Sequence, residues 1–137
     1  MIESPLDEMW IDQISLRFYA NNRVEIHYPK EFEITIETAR KIDQIIVDHV
    51  QLNDFTLLVN FEYSFGSMPR EVQRYFAREA PSIGQLKKSA IVLNSLGIRI
   101  LVKFYMNFFK PAYPTQIFSS VDSAREWLGK MVLIDQK

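Results

Sequence analysis

The segment KSAIVLNSLGIRILVKFYMNFFKPAYPTQIFSSVDSAREWL, Lys88 to Leu128, decides how this chain folds. Its apolar run from Ala90 to Asn94 is short and continuous, as in a strand covered on both faces. The Ser95 hydroxyl is placed to cap a helix, and from Leu96 to Lys110 apolar residues recur at helical spacing. Pro111 and Pro114 bracket the exit. TQIF, Thr115 to Phe118, is a second short strand. Ser119 and Asp122 then stand at capping-box spacing ahead of a last helix that turns Ala124, Trp127 and Leu128 inward. Strand and helix alternate, the pattern of an α/β sheet with helical crossovers.

Working outward, MWIDQISLRFYA, Met9 to Ala20, alternates as one strand, with Trp10, Ile14, Leu16 and Phe18 sharing a parity. Asn21-Asn22 makes a turn, and VEIHYP returns with Val24, Ile26 and Tyr28 on one face, completing a hairpin. Thr35 caps a helix that runs to about Gln51, carrying Ile36, Ala39, Ile42, Ile46 and Val50 at helical spacing. FTLLVNF, Phe55 to Phe61, reads as an inner strand. Pro69 sits in the first turn of the next helix, where its missing N–H costs nothing; that helix buries Val72, Tyr75 and Phe76. The order ββαβαβαβα predicts an α/β fold, a mixed β-sheet covered by helices, with 1–137 as a single domain.

The totals narrow the function. The chain has 137 residues and no cysteine, so disulfides, Cys-based zinc sites and thiol catalysis are excluded. The acidic N-terminus, MIESPLDEMW, does not resemble a secretory signal. The most apolar helix is interrupted by Arg99, Lys103 and Asn107, too polar and too short for a membrane span. His27 and His49 have no ligand-spaced partner, so no metal or cofactor is expected. There is no nucleophile elbow, P-loop or dinucleotide fingerprint among four glycines. Glu31 and Glu33, like Asp7 and Glu8, read as solvated charges, and nothing supports an enzyme. A pI near 6.1 and the lack of a dense basic aromatic strand argue against nucleic acid. Charge is uneven, however: residues 80–121 hold five bases and no acid, which either answers the acidic first half or marks an anionic partner.

With this order in place, the chain resembles the SpoIIAA-like, or STAS-like, family. The resemblance rests on the segment quoted above: an apolar strand ending in Asn-Ser, an aromatic helix closing in K-P-x-x-P, a strand ending in I-F, and a helix with A-x-x-W-L. ITIETA opens the first helix in a family-like way, and the likeness spans about 9–128. It implies a non-enzymatic, regulatory or binding role in a bacterial cytoplasm, exercised on a protein partner or on a second copy of the chain. In the family's anti-sigma-factor antagonists a serine after the third strand is phosphorylated. The matching region is NFEYSFGSMPREV, which departs from the D-S-S-G pattern and offers Ser64 and Ser67 as acceptors.

The aromatic helix carries the remaining question. Arg99, Lys103, Asn107 and Lys110 fall in one arc, and Ile98, Leu101, Tyr105 and Phe108 lie opposite, expected to face the sheet. Ile100, Val102, Phe104, Met106 and Phe109 flank them, more apolar surface than one sheet contact covers. Neighbouring helices can cover it, or a partner protein docking beside Arg99, Lys103 and Lys110. The third arrangement is an apolar or lipid ligand in a pocket bordered by this helix, of the kind CRAL-TRIO domains hold.

Overall fold

The computed structural model describes residues 3–135, with side chains described to residue 130. A six-stranded sheet has the order β1 (Asp7–Ile11), β2 (Ile14–Tyr19), β3 (Arg23–His27), β5 (Phe55–Phe61), β7 (Leu86–Leu93), β8 (Thr115–Phe118). The first three strands pair antiparallel and the rest parallel. Two three-residue strands, β4 (Glu31–Glu33) and β6 (Phe65–Ser67), pair in parallel as a separate ribbon. Gly66 is required there: a Cβ would lie 2.0 Å from the Phe32 carbonyl oxygen.

The helices are α1 (Ile36–Val50), α2 (Arg70–Arg74), α3 (Leu96–Phe104) and α4 (Val121–Asp135). Thr35 and Ser95 cap α1 and α3 as expected, accepting the amide protons of Thr38 and Ile98. Two differences from the sequence reading have local causes. Met9 to Ala20 is two antiparallel strands, because Asp12 takes φ 55° and turns the chain; Trp10 therefore lies opposite Ser15 rather than beside Leu16. The cap of α4 is Ser120, whose hydroxyl accepts the Ser123 amide, so the Ser119–Asp122 capping box does not form.

Side chains alternate across a strand, and the two faces of the sheet have different covers. Ile14, Leu16, Phe18, Val24 and Ile26 pack with Ile42 and Ile46 of α1 and Ile98 and Val102 of α3 in the main core. On the opposite face Leu58, Ala90 and Val92 pack against Ala124 and Leu128 of α4. That face holds Glu25 at the centre of β3, with none of its side chain exposed. Arg125 of α4 grips it with two hydrogen bonds of 2.8 Å each. Arg23 and His27 add one each, also at 2.8 Å, and both guanidinium groups lie against the Tyr19 ring.

Burial alone raises the Glu25 carboxyl pKa, but the hydrogen bonds from Arg125 and His27 and the charges of Arg125 and Arg23 outweigh it and hold it at about 2. Glu25 therefore contributes stability that is fully present above pH about 4.5 and lost as pH falls from there toward 2. A shift of that size corresponds to about 3 kcal/mol at neutral pH. Glu25→Gln leaves Arg125 without its carboxylate, while Arg23 keeps its pair with Glu3, and denaturant unfolding at pH 7 is expected to show a loss of about 3 kcal/mol. At pH 2 the difference from wild type shrinks; an equal gap at both pH values contradicts the ion-pair account.

Candidate binding surface

The surface begins with an interruption in two helices. After α2, residues Tyr75–Glu79 form a single π turn, and after α3, Tyr105–Phe109 form another. A π turn adds a residue to the helical repeat and leaves backbone carbonyls without their usual partners. Carbonyls at the ends of these helices are taken up across the pair: Arg78 donates to the Phe109 carbonyl at 3.2 Å, and the Tyr113 hydroxyl donates to the Phe76 carbonyl at 2.8 Å. The Tyr105 and Tyr113 hydroxyls are 2.9 Å apart.

The buried face of α3 centres on Ile98 and Val102 rather than on Leu101, and Phe109, eleven and seven residues further on, follows them at helical spacing; Phe108 is 57% exposed and Phe109 is 8% exposed. Ile98 and Val102 are buried, and Leu101, Tyr105 and Met106 are partly buried against the core. Of the residues expected on the partner surface, Val102 and Phe109 are therefore core residues and Met106 is half-covered. Ile100, Phe104, Arg99, Lys103 and Lys110 are exposed. Leu96, 73% exposed, extends the line, so Leu96, Ile100, Phe104 and Phe108 form a stripe at four-residue intervals.

The stripe is organised. The Phe104 and Phe108 rings stack at 5.0 Å between centroids and 11° between planes. The Arg70 guanidinium of α2 lies 5.8 and 5.6 Å from the two centroids, within cation–π range. Arg74 lies 5.9 Å from the Phe109 ring. Exposed Tyr63 and Phe65 stand in and just after the β5–β6 loop. A shallow groove of about 450 Å³ runs between Tyr63, Phe65, Lys30 and Glu62 and the start of α3 at Asn94-Ser95. Leu96 and Phe108 were legible as apolar, but their exposure was not, because it depends on which face of α3 the sheet and α2 cover.

The candidate phosphate acceptors separate. Ser64 is buried and donates to the Tyr28 carbonyl at 3.1 Å, so its hydroxyl is engaged and covered. Ser67 is exposed on β6, but Pro69 precedes α2 and no side chain caps that helix. The histidines are also accounted for. His27 joins Glu25 and Asn60, and His49 stacks on Phe18 at 3.9 Å and meets Asp7 at 2.8 Å. Among the described residues there is no group of histidine or carboxylate side chains that could hold a metal ion, and no helix long and apolar enough to cross a membrane.

An α/β sheet of this order with helices packed on it is a SpoIIAA-like fold. Among solved structures the chain is similar to an uncharacterised protein of the DUF3478 family with a SpoIIAA-like fold from Shewanella loihica PV-4. The TM-score is 0.55 at 11% identity, over 84% of this chain and 91% of that one, a likeness of fold alone. A protein of unknown function from Arthrobacter sp. FB24 aligns over 83% of this chain and 97% of that chain at 19% identity, but its TM-score of 0.30 has no bearing on the fold. The chain belongs to the family described as domain of unknown function DUF7793, which matches residues 18–132. No curated protein matches it.

The placement of these two rings has a direct consequence. Phe109→Ala is expected to cost about 3–5 kcal/mol in denaturant unfolding, the range for a buried phenylalanine. Phe108→Ala is expected to cost about 1 kcal/mol or less. The reverse ranking would mean that Phe108, not Phe109, faces the core.

Proposed function

We propose that this chain is a non-enzymatic binding domain of a bacterial cytoplasm, and that it docks a protein partner on the stripe Leu96, Ile100, Phe104 and Phe108. The observation that carries the reading is the exposed, stacked Phe104–Phe108 pair beneath Arg70. Exposed aromatic rings beside an arginine have the composition of interface anchors. Arg99, Lys103 and Lys110 are exposed on the same helix and its end, and residues 80–121 contain no acid to offset them. The partner that suits this surface is an apolar helix face bordered by Asp and Glu, laid along α3.

Two alternatives fit less well. A symmetric dimer through α3 would set each patch against itself, bringing the basic residues toward their own copies. A lipid carrier needs a pocket of some hundreds of cubic ångströms, and the cavity behind α3 measures about 80 Å³.

Photo-crosslinking from position 100, in cells of the native source, tests the reading, with position 52 as an exposed control remote in sequence. A single acidic partner is expected at position 100 and not at 52. It should be lost in Phe104→Glu/Phe108→Glu, and its affinity should fall at least tenfold between 50 mM and 500 mM salt as the charges are screened. Crosslinks only to the chain itself, or a partner unaffected by the double substitution, would exclude the proposed surface.

A further inference from the structure

Behind α3, on the sheet face that α1 and α2 also cover, lies the 80 Å³ cavity. That is roughly half the volume of an engineered ~150 Å³ apolar cavity that admits benzene, but enough for several water-sized units. Most of its wall is aliphatic and aromatic, including Leu57, Val59 and Ile91 from the sheet and Phe76 and Tyr105 from the two π turns. Two polar side chains in that wall lack their natural complement. Asp43 of α1 is buried and accepts from the Ser82 amide and hydroxyl; none of the ion pairs among the described residues includes it. Gln73 of α2 is also buried: its amide nitrogen donates to the Met68 carbonyl at 2.8 Å, while its Oε1 has no donor.

A carboxylate taken out of water without a cation, and a buried amide oxygen without a donor, are each costly. Both are acceptors, so the occupant that satisfies them must bring hydrogen-bond donors. A positive charge on that occupant would also answer Asp43, and the aromatic rings of Tyr28, Phe61, Phe76, Tyr105 and Tyr113 in the same wall offer π faces to a cation. An ammonium group supplies three donors and one charge. The small volume restricts the rest of the molecule to a short alkyl stem.

We propose that this cavity binds a small primary amine in its ammonium form, the head directed to the Asp43 carboxylate and Gln73 Oε1 and the stem lying against Leu57, Val59 and Ile91. The site is independent of the docking surface on the outer side of α3: either can fail without the other. Binding to the folded chain alone raises its melting temperature, increasingly with the logarithm of the ligand concentration above Kd.

The test uses the full chain at pH 7, titrated with n-propylammonium chloride, against 1-propanol and sodium chloride at matched concentrations. The amine is expected to raise Tm by at least twice the shift that either control produces. Asp43→Asn should abolish that rise and Gln73→Leu should weaken it. Because either variant can be too unstable to read, the wild-type protein is also followed by NMR, where contacts from the propyl protons to the Leu57, Val59 and Ile91 methyl groups are expected. An equal response to propanol, a response retained in Asp43→Asn, or a cavity showing contacts to water alone would overturn the proposal.

Discussion

The Glu25 carboxylate constrains more of this fold than any other group. It sits on β3, where the antiparallel strands meet the parallel ones, and its main partner, Arg125, lies 100 residues further along on α4. A fully buried carboxylate is tolerated only when its hydrogen bonds and charge are met, and Arg23, His27 and Arg125 together meet them. The requirement fixes the position of α4 on its sheet face. Ala124 and Leu128 cluster with Leu58, Ala90 and Val92 of the parallel strands, with Phe118 packed alongside; the ion pair extends the helix's hold to the antiparallel side. Hydrophobic burial supplies the attraction, and the charged cluster supplies the direction.

A second constraint operates on the opposite face. The π turns after α2 and α3 lie against one another, and carbonyls of theirs are claimed by Arg78 and Tyr113. The face of α3 that buries Phe109 with Ile98 and Val102 leaves Phe108 outside. Burying an aromatic ring stabilises a core by a few kcal/mol, so leaving one exposed in a line with Leu96, Ile100 and Phe104 forgoes stability that burial would give. The two π turns contribute, through Phe76 and Tyr105, to the wall of the inner cavity.

Charge sets the two surfaces of α3 apart. Outside, exposed bases stand beside apolar rings with no acid in their stretch of chain. Inside, behind the helix, the unmatched groups Asp43 and Gln73 are both acceptors. The proposed occupants are accordingly opposite in sign: an acidic partner outside, a cationic ligand within.

Local features were legible from residue order. Helix caps at Thr35 and Ser95, the inner strands at Phe55–Phe61 and within Leu86–Leu93, the Asn21-Asn22 turn and the helical spacing of α1 all involve groups within a few residues of each other. These interactions are set by backbone hydrogen bonding and side-chain periodicity, which the sequence carries directly. The resemblance of Lys88–Leu128 to the SpoIIAA-like family pointed to the same sheet. The turn at Asp12 was less visible, since alternation continues through it and only a positive φ marks the reversal. The cap at Ser120 rather than Ser119 is a choice between adjacent hydroxyls. What tertiary structure alone decided were the Glu25–Arg125 pair, the helical phase at Phe108 and Phe109, and the meeting of Asp43 with Ser82. Each depends on groups brought together by strand order or helix packing across tens of residues, where periodicity has no reach and the energy of burial selects the partner.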